Sequence, residues 1–133
     1  MAPDIADPSR REQGKAVLAS LHGSDSPDEE LETFLARHKG GLGELIVDFV
    51  LGDVWNRPHL DKRERSLIVI TALIASGRTG PLARHIEGAL NHGATPDEIR
   101  EVIIQLAAYV GFPAAVEAMP VANKVFEELG SET

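Results

Sequence analysis

Residues 61–93 read DKRERSLIVITALIASGRTGPLARHIEGALNHG, and this stretch decides the fold. Asp61 followed by Glu64 has the spacing of a capping box, so a helix is expected to begin at Lys62. The run LIVITALIA over residues 67–75 is apolar on every side, the pattern of a helix buried all round beneath other helices or other subunits. It falls short of the roughly 20 apolar residues that a membrane span needs. Gly77 suits the end of that helix, and Pro81 suits the first turn of the next, where its missing N–H needs no partner. There Leu82, Ile86, Ala89 and Leu90 share one face, His85 borders it, and Gly93 ends the helix.

Outward from this pair the same periodicity continues. A helix is expected over residues 10–21, with Val17, Leu18 and Leu21 inward. Ser26-Pro27-Asp28-Glu29 reads as a second capping box, opening a helix whose apolar face is Leu31, Phe34 and Leu35. Gly40, Gly41 and Gly43 interrupt. Leu45, Ile46, Phe49 and Val50 then give the inner face of a third helix ending near Gly52, followed by an ordered loop that holds the single tryptophan, Trp55. On the C-terminal side, Thr95-Pro96-Asp97-Glu98 is another capping box, with Ile99, Val102, Ile103, Leu106 and Val110 at helical spacing behind it. Gly111 and Pro113 separate this from a last helix with Val116, Ala122, Val125, Phe126 and Leu129 inward and a kink at Pro120. No segment alternates with period two. The expected fold is all-α, a single domain of about six or seven helices over residues 10–130, with residues 1–9 as a flexible N-terminus.

Composition excludes several functions. With no cysteine among 133 residues there is no disulfide, no thiolate ligand and no thiol nucleophile or redox pair. His22, His38 and His92 have no metal-ligand spacing, and no metal site is expected. The N-terminal residues lack the apolar core of a signal peptide, and a cytoplasmic location is the default expectation. A net charge of −8 argues against nucleic acid as partner. That charge is uneven: residues 55–92 hold six cations against three acids, a local +3, so the remainder holds −11. The arginines there either grip an anionic small molecule or serve as solvated helix ends and ion-pair partners.

The stretch GDVWNRPHLDKRERSLIVITALIASGR followed by LARHIEGALNHGATPDEIREVIIQLAAYVGFPAAVEA resembles the carboxymuconolactone decarboxylases, within the wider alkylhydroperoxidase-D-like superfamily. The resemblance rests on Trp55-Asn56-Arg57-Pro58, Arg65-Ser66-Leu67, Leu82-x-x-His85, Ala89-Leu90-Asn91-x-Gly93 and Tyr109-x-Gly111-x-Pro113, in family order and spacing. It implies an all-α fold, homo-trimers or homo-hexamers, and no metal or organic cofactor. It also implies decarboxylation of 4-carboxymuconolactone (2-carboxy-5-oxo-2,5-dihydrofuran-2-acetate) to 3-oxoadipate enol-lactone, in the β-ketoadipate pathway of aromatic-acid catabolism. The alternatives are a decarboxylase or isomerase of a related lactone or keto acid in a biosynthetic pathway, or a non-catalytic binding subunit. The superfamily's peroxidases use a Cys-x-x-Cys pair, a histidine and a glutamate. Here Arg78 and Pro81 stand at the cysteine positions and Ser66 at the glutamate, so peroxidase chemistry is absent. Two departures from the decarboxylase pattern stand in one loop: Asn56 replaces a usual serine, and His59 a usual glycine.

Within that resemblance His85 is the candidate proton donor; read without it, His85 is a partly buried histidine bonded to a backbone carbonyl. Arg65 and Arg57 are candidates for gripping carboxylate through a bidentate fork, with Arg65 alternatively a structural partner of Glu64 or Glu101. Trp55 is either a pocket wall or core. His59 either donates to substrate or sits in solvent. Tyr109 is expected in the core between Leu106 and Val110, its hydroxyl reaching the site. Ser66 and Arg78 complete the substrate-binding candidates, for an anionic carboxylate substrate. Glu64 and Glu98 read as capping residues.

Overall fold

A computed structural model describes residues 8–130, and every regular element among them is helical. Seven α-helices follow in order: α1 Pro8–His22, α2 Pro27–Arg37, α3 Leu42–Leu45, α4 Lys62–Ala75, α5 Leu82–Asn91, α6 Pro96–Tyr109 and α7 Phe112–Glu128. A π-helical segment, Ile46–Val54, continues directly from α3. The elements group into two compact units, Met1–Asp61 and Lys62–Thr133. Of the stretch expected to be flexible, residues 1–7 lie outside the described residues, whereas Pro8 and Ser9 already belong to α1.

In the first unit α1 packs on the π-helical segment. The approach is so close that glycine is required on both sides. A Cβ at Gly14 would overlap the Val47 carbonyl, and one at Gly52 would stand 2.5 Å from the Arg10 carbonyl oxygen. Two forked ion pairs flank the contact. Arg10 donates to Asp53 through Nε and Nη2, and Arg11 donates to Asp48 through Nε at 2.9 Å and Nη2 at 2.8 Å. The π winding corrects the expected inner face. Bonds from residue i to i+5, such as Trp55 N–H to the Val50 carbonyl at 3.0 Å, turn the backbone more slowly than an α-helix. Val47, Leu51 and Gly52 are therefore buried, while Phe49 is 49% exposed and Leu45 also faces outward. At the start of α2 the expected capping box does not form: Ser26 makes no side-chain cap bond, and its N–H goes to Ser24 Oγ instead.

In the second unit α4 begins at Lys62, as expected, and ends in a Schellman motif. The Arg78 N–H donates to the Leu73 carbonyl and the Gly77 N–H to the Ile74 carbonyl, with Gly77 at φ 73°. Helix α5 ends the same way, through Ala94 to Ala89 and Gly93 to Leu90. The Thr95 box forms in full: Thr95 Oγ1 accepts from the Glu98 N–H at 3.1 Å, and Glu98 Oε1 from the Thr95 N–H at 2.9 Å. The core joins Ile70, Ile74, Leu82, Ile86, Ala89, Ile99, Ile103, Leu106, Ala118, Ala122, Val125 and Phe126.

Three expectations about this unit are corrected. Helix α4 is not buried all round within the chain: the buried stripe is Ser66, Ile70 and Ile74, and Ile68 is 52% exposed. Val116 and Leu129 face outward rather than inward. Tyr109, at the end of α6, is 83% exposed rather than core. Pro120 sits inside α7 without ending it. It lies on the exposed side of α7, as does Val116 one turn before it, whose carbonyl a proline at 120 leaves without its N–H donor.

Candidate functional site

The stripe Ser66, Ile70, Ile74 sets up the most telling polar contact of the second unit. Ser66 is 2% exposed, a hydroxyl on the inward face of an otherwise hydrocarbon stripe, and such a group needs a partner. It has one in His92, whose Nδ1 lies 2.8 Å from Ser66 Oγ. His92 is the C-cap of α5, held there by the Schellman bonds around Gly93. The contact brings the start of α4 against the end of α5, as the short connection between the two helices requires. Burial pushes the His92 imidazole below its ordinary value, and Lys62 on α4 pushes in the same direction.

This hairpin arrangement sorts the candidates of the second unit. Arg65 and Ser66 stand at the end that holds His92. His85 lies seven residues earlier on α5, about 10 Å along the axis, toward the end where Arg78 occupies the turn between the helices. His85 and Arg65 are half-buried, Arg78 is exposed, and Tyr109 is exposed at the far end of α6. In the first unit Trp55 is buried, at 6% exposure, while Arg57 and His59 are exposed in the loop after the π-helical segment. Asn56, one of the two departures from the family pattern, has a structural task. Its Nδ2 donates to the Leu51 and Gly52 carbonyls, at 2.9 and 2.8 Å, which the end of the π winding leaves over.

The contact missed by sequence reasoning is Ser66–His92. Its signal was present: the one hydroxyl at i of an i, i+4, i+8 apolar stripe, and an imidazole immediately before the glycine that ends the neighbouring helix. A groove of about 460 Å³ between α6 and α7 is lined by Ile103, Ile104, Ala107, Phe112, Val116 and Met119, among others. Every residue lining it is apolar, so it lacks what a carboxylate requires. Among the described residues no three His, Cys, Asp or Glu side chains come together to share an ion. None of the described helices is long and apolar enough to cross a membrane.

The assembly is thus an all-α protein without thiols, whose polar equipment is imidazole, guanidinium and hydroxyl: groups for acid–base work and for holding carboxylate. The chain belongs to the carboxymuconolactone decarboxylase family of carboxy-lyases, whose family model matches residues 41–124. It is 36% identical to the 4-carboxymuconolactone decarboxylase of Acinetobacter baylyi, over 93% of this chain and 92% of that protein. It is 34% identical to the nitrosuccinic acid decarboxylase npaB of Metarhizium robertsii, over 89% of this chain and 82% of that protein. A third relative, an uncharacterized 15.0 kDa protein of Paracoccus denitrificans, is 33% identical over 65% of this chain.

Proposed function

We propose that the chain decarboxylates a small dicarboxylate whose departing carboxylate stands on a carbon conjugated with a built-in electron acceptor, with 4-carboxymuconolactone as the first candidate substrate. The observation that carries this reading is the near full-length similarity to two decarboxylases with different named substrates. Those substrates share one logic. In 4-carboxymuconolactone the electrons freed by loss of CO2 pass through the ring double bond to the lactone carbonyl; in nitrosuccinic acid they pass to the nitro group. Each substrate is its own electron sink, and each keeps a second carboxylate to be held. The protein must then grip that carboxylate, place a donor where negative charge develops, and return one proton to carbon.

In this reading His85 returns the proton, because imidazole is the side chain whose ordinary titration falls near neutral pH. Arg65 holds the remaining carboxylate through its fork, and the axial separation from His85 is one that a long arginine side chain and a small diacid together bridge. Arg78, Ser66, Tyr109, Trp55, Arg57 and His59 stay as substrate-binding candidates, each on its own unit. The expected assembly, a homo-trimer or homo-hexamer, is part of the same proposal.

The test is CO2 release from 4-carboxymuconolactone and, separately, from nitrosuccinate by the folded protein. Turnover of the first and formation of 3-oxoadipate enol-lactone support the specific reading. Turnover of nitrosuccinate alone keeps the reaction class and replaces the substrate. No release from either overturns the assignment to this substrate class. His85→Ala is expected to lower kcat by about 10²–10⁴ fold. Unchanged kcat removes His85 from proton return.

A further inference from the structure

We propose that the outer face of the α6–α7 hairpin pairs with the same face of a second copy of this chain about a two-fold axis. Residues 102–116, VIIQLAAYVGFPAAV, hold no charged side chain, in a chain where 26% of residues are charged. A run of that kind is expected inside the fold. Of its residues only Ile103 and Leu106 are buried. Ile104, Tyr109, Val110, Phe112 and Val116 are exposed, Phe112 by 74% and Val116 by 68%. A contiguous apolar patch of this extent marks a contact surface.

The shape of the face selects its partner. Gly111, at φ 114°, turns the chain between α6 and α7, and the two helices run back along each other. Their groove starts at Phe112, beside the turn, and ends at Ile103 and Met119, about two helical turns away. Between these ends stand Ala107, Ala108 and Ala115, whose methyl groups leave the middle of the groove low. An aromatic projection thus lies next to a shallow hollow. A two-fold axis across the hairpin turns the second copy end for end, so that each Phe112 lies over the alanines of the other copy and every contact is made twice.

The area fits a second copy better than a small ligand. A ligand that fills the groove leaves Tyr109 and Val110 in water, since neither lines it. The five exposed side chains present on the order of 600 Å² per copy, an aromatic side chain alone carrying about 150–250 Å². Two copies joined here remove about 1,200 Å² from water, the lower bound of a specific interface and more than lattice packing ordinarily buries. The net charge of −8 makes two copies repel at a distance, and the run 102–116 offers no ion pair to offset that. Added salt screens the repulsion and leaves apolar contact intact, so association is expected to tighten as salt rises. The inference stands apart from the decarboxylase reading. It narrows the trimer or hexamer expected there to an even assembly, because a ring of three equal copies contains no two-fold.

Sedimentation of the full chain over a dilution series, for wild type, Phe112→Asp and Val116→Asp, tests the face. Wild type is expected to form a dimer or a hexamer that holds together better in high salt than in low. Each aspartate enters the contact twice and is expected to raise its dissociation constant by at least about 100-fold, which splits the assembly in half. Both side chains are mostly exposed, so the fold is expected to survive, and helical circular dichroism checks it. The chain has no cysteine, so single introduced cysteines read the symmetry even if an aspartate variant does not fold. Among Ala108→Cys, Phe112→Cys, Ala115→Cys and Val116→Cys, at least one is expected to link chains in pairs on oxidation, because a two-fold brings some position of the face against itself. A wild-type monomer at every concentration overturns the proposal, as does a trimer, loss of association as salt rises, an assembly unchanged by both aspartates, or pairing at none of the four cysteines. A trimer would still keep the homo-oligomer expected above. None of these outcomes bears on CO2 release, so the face and the reaction fail separately.

Discussion

The two units of the chain solve the same problem, packing helices with few aromatic residues, by opposite means. The first brings backbones nearly into contact at Gly14 and Gly52 and flanks the contact with the forked pairs Arg10–Asp53 and Arg11–Asp48. The second buries a continuous hydrocarbon core running from Ile70 to Phe126 and admits one hydroxyl, Ser66, with its imidazole partner. The first is limited by steric room and charge geometry; the second is limited by how much hydrocarbon leaves water. The first unit buries hydrocarbon as well, at Val17, Leu18, Val47 and Leu51, so what sets it apart is the close backbone contact and its charged flanks.

The largest expected effect is in the second unit. Phe126→Ala empties a fully buried ring position and is expected to cost about 3–5 kcal/mol in urea denaturation. Ile68→Ala, at a side chain that is more than half exposed, is expected to stay within about 0.5 kcal/mol. Equal losses for the two would mean that the hydrocarbon account of this unit is wrong. Next comes Gly14→Ala in the first unit. A methyl group ordinarily helps a helix by about 1 kcal/mol over glycine. Here it meets the Val47 carbonyl, a backbone atom that cannot turn aside, and the net result is expected to be a loss of about 1–3 kcal/mol. A gain in stability would show that α1 and the π-helical segment are not in close backbone contact.

A smaller effect compares caps across the units. Thr95→Ala breaks a complete box and is expected to cost about 1 kcal/mol. Ser26→Ala removes a side chain that makes no cap bond and is expected to cost less than about 0.5 kcal/mol. Thermal melts of both variants check the difference, and a larger loss at Ser26 would restore the box that its sequence suggests.

These contrasts also mark what was legible in the chain. The start of α4 at Lys62, its stop at Gly77, the face Leu82–Ile86–Ala89 and the Thr95 cap are written locally, in spacing and in glycine, and the structure keeps them. The face of the third helix was misread because i, i+4 spacing presumes α winding, and nothing local announces i→i+5 bonds from Ile46 onward. Ser26 looked like Thr95, but a hydroxyl two residues upstream, Ser24, took the N–H that Glu29 needed. The exposure of Ile68, Val116 and Tyr109 was hidden for another reason: apolar character shows what would rather be buried, not what is available within the chain to cover it. The candidate site was legible only through family resemblance. Which cation faces which imidazole depends on how α4 and α5 pair, and spacing along one helix does not encode that.

The smallest expected effect tests the charged clamp of the first unit. Asp48 accepts both forked bonds from Arg11, and these hydrogen bonds hold its carboxyl below the ordinary value near 3.8 against the opposing pull of burial. A depressed carboxylate adds stability above its unfolded value, and that stability disappears as the pH falls below about 3.8 through the folded value. The Arg11 side chain is 40% exposed, so solvent screens the pair and its contribution is expected to be below about 1 kcal/mol. Asp48→Asn is therefore expected to lower the urea midpoint slightly at about pH 5, with the gap to wild type closing as the pH falls below 3.8 through the folded value of Asp48. Added salt is expected to narrow the gap at the higher pH and to leave the lower one unchanged. A gap that persists in acid would show that Asp48 acts through packing rather than charge, and the contrast between the two units would then narrow to the glycines alone.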